Sequence, residues 1–233
     1  MEIVEIKKED MLIHGKTTDC LVHKLHIVIK DIPSYVADLI KTIKDTGWIT
    51  KLGAVEQVTF DARSKRTIEK IVNDILLKVE NVVTAEFGEF MVSSSAQRAL
   101  NEGLGHVQVP LAELWKEKVI GNPGFDFHTE STGNLIAFGE AKYSGSINPH
   151  GIAIDQILDF ISLEKDKAEL TDVQNFVSKV AVGKFLEGHR AFVAAFSING
   201  DAQKVLDRVL RSKKIEGLLN YPEVYLIGVE VIK

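Results

Sequence analysis

With 233 residues, 45% of them hydrophobic, and a mean hydropathy of +0.04, the chain has material for one large domain, or for a core with a small subdomain. A single cysteine, Cys20, excludes an intrachain disulfide and a cysteine-based zinc site. No apolar run is long enough to span a bilayer, the charged start MEIVEIKKED is not a signal peptide, and a net charge of −5 opposes nucleic-acid binding unless a local basic patch and a bound metal offset it; a cytoplasmic protein is the expectation.

Residues 1–80 read as an N-terminal α+β subdomain. Cys20 to Lys30 alternates apolar and polar from Leu25 onward and predicts a strand. Pro33 opens a helix with Val36, Leu39, Ile40 and Ile43 on one face, and Gly47 ends it. Val55 to Phe60 reads as a strand, and Ser64 as the cap of a helix carrying Ile68, Ile71, Val72, Ile75, Leu76 and Val79. His14, His23 and His26 have no acid or thiol at ligand spacing, so metal ligation is not expected of them.

Residues 81–233 read as the core. A helix is expected from Asn81 to Gly105, with Val83, Phe87, Phe90, Met91, Leu100 and Leu104 as apolar contacts and with Glu86, Glu89 and Glu102 along it. Pro110 suits the first turn of a short helix, Leu111 to Lys118, which carries Glu113 and Glu117. Gly121-Asn122-Pro123-Gly124 is a tight loop. It leads into two strands, Gly124 to His128 and Leu135 to Tyr143, joined by the turn Ser131-Thr132-Gly133-Asn134. Asn148 and Pro149 open a helix striped with Ile154, Ile157, Leu158 and Ile161, and Thr171-x-x-Gln174 has the form of a capping box. Val173, Phe176, Val177, Val180 and Lys184 follow at helical spacing. The apolar run Ala191 to Ile198 predicts a buried strand. Asp201 starts a helix with Ala202, Val205, Leu206, Val209 and Leu210 inward, and Val224 to Ile232 is the last strand. Lys204, Arg208, Arg211, Lys213 and Lys214 decorate that helix and its end. They read as a phosphate-contacting patch or, preferably, as cations complementing the helix dipole. This alternation predicts an α/β fold, a mixed sheet with helices on both faces.

A turn centred on Gly133 sets Asp126 opposite Glu140. Side chains alternate along a strand, so Glu140 and Lys142 share a face while Gly139 and Ala141 take the other. Two carboxylates and a lysine thus converge. Carboxylate oxygens are hard ligands suited to Mg²⁺, and a nearby ammonium can orient a metal-bound water or stabilise developing negative charge.

Asp126 followed by Glu140-Ala141-Lys142 resembles the D…(D/E)-x-K signature of the PD-(D/E)xK, or restriction-endonuclease-like, nuclease superfamily, with Gly124-Phe125 where a proline usually precedes the aspartate. The resemblance implies a restriction-endonuclease-like sheet, with the N-terminal α+β part as an elaboration. It implies a Mg²⁺-dependent endonuclease, with Mn²⁺ as an alternative, acting on DNA or alternatively RNA. Asp126, Glu140 and the Ala141 carbonyl would bind metal, and Lys142 would position the attacking water. A glutamate of the preceding helix would complete the site. Glu89 ranks first because Phe87, Phe90 and Met91 give it an apolar, inward-turned neighbourhood where a metal would pair with it; Glu102 ranks second. Gln156 and Phe160 resemble the Q-x-x-x-Y helix of the RecB-like branch, with phenylalanine for tyrosine. Phe87-Gly88-Glu89, Gly124-Phe125-Asp126 and Gly139-Glu140-Ala141-Lys142-Tyr143 also resemble the nuclease component of Hachiman-type anti-phage systems. That implies a part in bacterial defence against foreign DNA and a helicase partner encoded elsewhere.

No phosphate-binding G-x-x-x-x-G-K-[ST] loop, G-x-G-x-x-G turn or G-x-S-x-G elbow is present, so nucleotide hydrolysis, dinucleotide redox and serine hydrolysis have no anchor. The alternative from another class is a non-catalytic nucleic-acid-binding or protein-interaction module that keeps the nuclease fold. Such a module has no need of Mg²⁺.

Overall fold

The computed structural model describes residues 1–9, 12–13, 16–79, 83–116 and 124–232. The first strands are β1 (Glu2–Glu9), the short mutually paired β2 (Leu12–Ile13) and β3 (Lys16–Thr17), and β4 (Leu21–Ile29). Helices α1 (Ile32–Lys44), α2 (Ala54–Lys70) and α3 (Ala85–Leu104) follow. Then come β5 (Val107–Gln108), α4 (Ala112–Trp115), β6 (Phe127–Glu130) and β7 (Ile136–Lys142). The chain continues through α5 (His150–Ser162), α6 (Lys165–Val173), α7 (Lys179–Leu186), β8 (Ala191–Ile198), α8 (Ala202–Leu210) and β9 (Glu223–Val231).

Among the described residues the strands form a seven-stranded sheet in the order β1-β4-β9-β8-β7-β6-β5. Strands β4, β9, β8 and β7 are mutually parallel, while β1, β6 and β5 run antiparallel to their neighbours. The protein is thus α/β, with a mixed sheet flanked by helices. β1 and β4, assigned to the N-terminal part by a division at residue 80, lie in the same sheet as the core strands. Burial explains the central strands: every residue of β8 is buried, as a strand covered on both faces requires.

Two helix layers cover the two faces. Even-numbered side chains of β7 and β8 point toward α5 and α8: Phe138 lies against Phe125 and Phe192, and Phe125 meets Phe160 of α5 edge-on. On β9 the same face is bare at Gly228, where a Cβ would strike Ile198 and lie against Leu206 of α8. Odd-numbered positions of β7 point toward α3, and a Cβ at Gly88 would collide with the Tyr143 ring just past β7. α1 joins this second layer through Tyr35, whose hydroxyl donates to the Met91 carbonyl at 3.1 Å. No helix among the described residues is long and apolar enough to cross a membrane.

Several boundaries differ from expectation for identifiable reasons. Val55 to Phe60 lies in α2, not in a strand. Val55 and Val58 are exposed, and only Phe60 packs, against Trp48 and Phe176; helical period prevails over the β-branched preference of two valines. Ser64 is buried inside α2 with its hydroxyl directed at the Asp61 carbonyl, so it caps nothing. Thr171 and Gln174 stand at the end of α6; the N-cap of α7 is Ser178, bonded to the Ala181 N–H at 3.1 Å and itself held by Glu130. Pro149, not Asn148, occupies the cap position of α5, and Asn148 instead exchanges hydrogen bonds with Asn199 after β8. Asp31 caps α1 through the Ser34 N–H, and Thr84 caps α3. The loop 121–123, Glu117, Lys118, His14 and Asn81 lie outside the described residues.

Candidate functional site

The turn that positions the site is built as its residues dictate. Asn134 adopts φ 54°, tolerable for asparagine, and the Asn134 N–H bonds the Ser131 carbonyl at 2.8 Å. The resulting register pairs Phe127 with Gly139 and His128 with Phe138. Asp126 is one residue before β6, yet its N–H still donates to the Gly139 carbonyl at 2.9 Å. Its carboxylate accepts the Ala141 N–H at 2.8 Å. Asp126 is therefore seated on the backbone of β7, beside Glu140.

Glu140 is fully buried. One of its oxygens accepts from Lys142 Nζ at 2.6 Å; the other, Oε2, is buried without a hydrogen-bond partner. Burial, and then the charge of Asp126, push the Glu140 carboxyl well above the usual range, against the pull of Lys142. Burial also raises Asp126, opposed by the Ala141 N–H, Lys142 and Lys116. Desolvation works against the Lys142 ammonium, but Glu140, Asp126 and Glu89 outweigh it, so Lys142 holds its proton above the ordinary lysine value. Two carboxylates crowd around one ammonium, and one oxygen remains unanswered.

Glu89 reaches this cluster from α3, with Oε1 at 3.9 Å from Lys142 Nζ. Its environment is not the inward, apolar one expected: the side chain is 50% exposed. Phe87 and Met91 do face the core, but residues two apart on a helix point to opposite sides. Desolvation still raises its pKa, Asp126 adds to this, and Lys142 opposes it. Gly88 explains the approach, since only a residue without a side chain lets α3 come down onto Tyr143. Glu102 stands elsewhere. It pairs with Arg98 at 2.7 Å, roughly 20 Å further along the helix at 1.5 Å per residue. Glu86 is exposed in the first turn, and Glu113 belongs to α4. Phe160 is core, edge-on to Phe125, while Gln156 is half-buried on α5.

A support cluster behind Asp126 escaped sequence reasoning. Glu169 of α6 accepts from the Phe125 N–H at 3.0 Å and from Lys116 Nζ at 2.7 Å, and Lys116 also donates to the Phe125 carbonyl. Both polar groups of the residue preceding Asp126 are thus held. The other Glu169 oxygen meets Nε2 of the buried His128 at 2.8 Å. A carboxylate only accepts, so Nε2 carries the hydrogen, and burial keeps this imidazole below its ordinary pKa. Although burial alone would raise Glu169, His128 and Lys116 hold its carboxyl below the usual value. No spacing in the sequence announces this cluster, because Glu169 lies on a different helix far along the chain.

Among the described residues no set of three or more His, Cys, Asp or Glu side chains closes into a metal-binding group. The donors on offer are the Asp126 and Glu140 carboxylates and the Ala141 carbonyl. That set fits a hard cation that keeps several waters and uses few protein ligands, as Mg²⁺ does, and the unpartnered Glu140 Oε2 is the atom such an ion would satisfy. His26 instead meets Glu230 at 2.9 Å, and His23 stacks on Tyr225. No protein-family model matches the chain, and no curated protein matches it either.

Proposed function

We propose that the protein is a Mg²⁺-dependent nuclease that hydrolyses phosphodiester bonds of DNA, of the restriction-endonuclease-like kind. The observation that carries this reading is the cluster of Asp126, Glu140 and Lys142 at one end of the β6–β7 pair, with a buried Glu140 oxygen lacking a partner. The succession of α3, hairpin, α5 and β8 agrees with the core that the resemblance implies.

Asp126, Glu140 and the Ala141 carbonyl would hold the cation, Mg²⁺ or Mn²⁺. Bound there, it would supply a water of lowered pKa and neutralise charge on the phosphate oxygens. Lys142, kept as an ammonium by its carboxylate neighbours, acts as a hydrogen-bond donor to the attacking water or to a phosphate oxygen, not as a base. Glu89, half exposed and 3.9 Å from Lys142, would stand at the rim of the site, where its carboxylate could accept from a water of the bound cation. Glu169 and Lys116 keep Asp126 in place by holding Phe125. Defence of a bacterial cell against foreign DNA, alongside a helicase, is the biological setting we propose on the motif resemblance.

The test is cleavage of plasmid, single-stranded DNA and RNA with Mg²⁺, Mn²⁺ or EDTA. Cleavage should require the metal, and Lys142→Ala should lower it by roughly a hundredfold or more while Mg²⁺ binding by calorimetry persists, since removing a preorganised donor to developing charge costs on that order. Cleavage that persists in EDTA, or near-normal turnover by Lys142→Ala, overturns the assignment. Nucleic-acid binding indifferent to Mg²⁺, without cleavage, would favour a non-catalytic module.

A further inference from the structure

A cavity of about 600 Å³ lies between the start of α5 and α8, lined by His150, Lys204, Asp207, Arg208, Arg211 and Ser212. We propose that this cavity is a phosphate-binding subsite that holds the backbone of a nucleic-acid strand next to the reacting phosphodiester. The proposal rests on the nuclease reading above and extends it to how the substrate is held.

The charge in the cavity is positive and available. Its one carboxylate, Asp207, already accepts from Lys24 at 2.8 Å and from Gln203 at 2.9 Å. Lys204 pairs with Asp201 at 3.1 Å on the open surface, and Lys214, at the rim, with Asp155. Arg208 and Arg211, three apart on one side of the helix end, form no ion pair within salt-bridge distance among the described residues, although the charge of Arg211 helps to lower the Asp207 carboxyl. Two guanidiniums with free donors suit the oxygens of a phosphate.

The dipole of α8 accounts for a cation in its last turn, an effect on the order of 0.3–1 kcal/mol. It does not account for His150, which comes from another helix. Nδ1 of His150 is buried with no hydrogen-bond partner. No side chain caps α5, so its first turn adds a positive end to the same space. Burial, and then Arg208 and Lys214, hold the imidazole below its ordinary pKa; an anion in the cavity would relieve that repulsion.

Continuity with the carboxylate site follows from register. Phe196 is the in-register neighbour of Lys142 on the parallel strand β8, so both side chains leave the same face. The His150 ring stands edge-on to Phe196 with centroids 5.7 Å apart. One aromatic side chain thus separates His150 from Lys142. Phe196 itself is fully buried, so a strand whose scissile phosphate met Lys142 would carry a neighbouring phosphate to the arginines over the exposed loop between β7 and α5. The arrangement also answers the adverse net charge of −5, because the cations are gathered where the strand must lie.

The test uses the full chain and a fluorescein-labelled single-stranded oligodeoxynucleotide, with anisotropy read in EDTA over a range of KCl. Against wild type, Arg208→Ala/Arg211→Ala should bind roughly tenfold or more weakly at low salt, with a salt slope smaller by one to two, as expected for lost phosphate contacts. An unaltered melting temperature would show that the variant is folded. In Mg²⁺ or Mn²⁺, its kcat/KM for the oligonucleotide should fall relative to that for bis(p-nitrophenyl) phosphate, whereas Lys142→Ala should lower both. Binding of unchanged strength and slope in the double variant overturns the subsite. So does failure of the wild type to bind the strand, and so does competition by a free mononucleotide at parity with the strand, which would make the cavity a nucleotide pocket. Failure of the wild type to hydrolyse either diester overturns the nuclease reading alone, because the binding arm needs no catalysis.

Discussion

Burial and the neighbouring Asp126 disfavour a charge on Glu140, and burial disfavours one on Asp126 as well. Asp126→Asn removes one of the two while an amide oxygen can still accept the Ala141 N–H. At neutral pH without metal, the variant should be as stable as wild type or more stable, within about 1 kcal/mol. The sign with pH follows from the raised carboxyl pKa. As pH falls through it, wild-type Asp126 takes up a proton and its cost disappears, so any advantage of the variant is greatest at neutral pH and vanishes in acid. The variant should also lose the Mg²⁺-dependent rise in Tm. Thermal melts from pH 4 to 8, with and without Mg²⁺, read both effects; a large loss of stability without metal would mark Asp126 as structural. The Phe127–Gly139 register was legible because Gly133 and Asn134 set the turn; that Asp126, just outside the ladder, bonds the Gly139 carbonyl and the Ala141 N–H was not. The setting of Glu89 was not, because its apolar sequence neighbours occupy a different side of the helix.

At the scale of elements, the contact between α3 and the end of β7 depends on Gly88. Adding a methyl there drives it into Tyr143, and overpacking of this kind costs about 1–3 kcal/mol, offset in part by the better helix propensity of alanine. Gly88→Ala should therefore lower the denaturant midpoint, and the double variant Gly88→Ala/Tyr143→Val should lose less than the two single losses added together. Additive losses would mean that the ring is not what the methyl meets. The elements read correctly from sequence were those whose burial matched one period throughout, such as β8 and α8. Val55 to Phe60 was misread because a strand and one face of a helix look alike over six residues, and only Phe60 against Trp48 and Phe176 decides between them. Thr171 misled for a similar reason: the capping pattern is present, but α6 already occupies that stretch.

For the whole molecule, the buried imidazoles make acid destabilising, against the opposite contribution of the raised carboxyls of Asp126 and Glu140. Burial keeps His23, His106, His128 and His150 below the ordinary imidazole pKa, and brings His106 down to about 4. His106 is bonded to Thr129 at 2.9 Å and to Tyr225 at 3.1 Å; the Tyr225 hydroxyl donates to Glu223 at 2.6 Å, so it accepts from the imidazole. Between pH 6.5 and about 4 the unfolded chain binds a proton at this histidine that the folded chain refuses, so stability is lost on acidification, up to about 3 kcal/mol from this residue. His106→Gln should be less stable than wild type at pH 7, and the gap should narrow toward pH 4.5 in denaturation curves; a gap independent of pH would mean that folding leaves the His106 pKa unshifted, and one that widens in acid that His106 is protonated in the fold. The α/β class was legible from alternating elements, but the strand order was not, since nothing local says that β4 and β9 are neighbours. That neighbourhood bears on how the protein is made. During synthesis at roughly 5–20 residues per second, β4 leaves the ribosome on the order of ten to forty seconds before β9 can slot between it and β8. Until then the strand beneath Glu140 and Lys142 has β8 but no finished sheet behind it. During that interval the open edges of β4 and β8 are surfaces for a chaperone to cover.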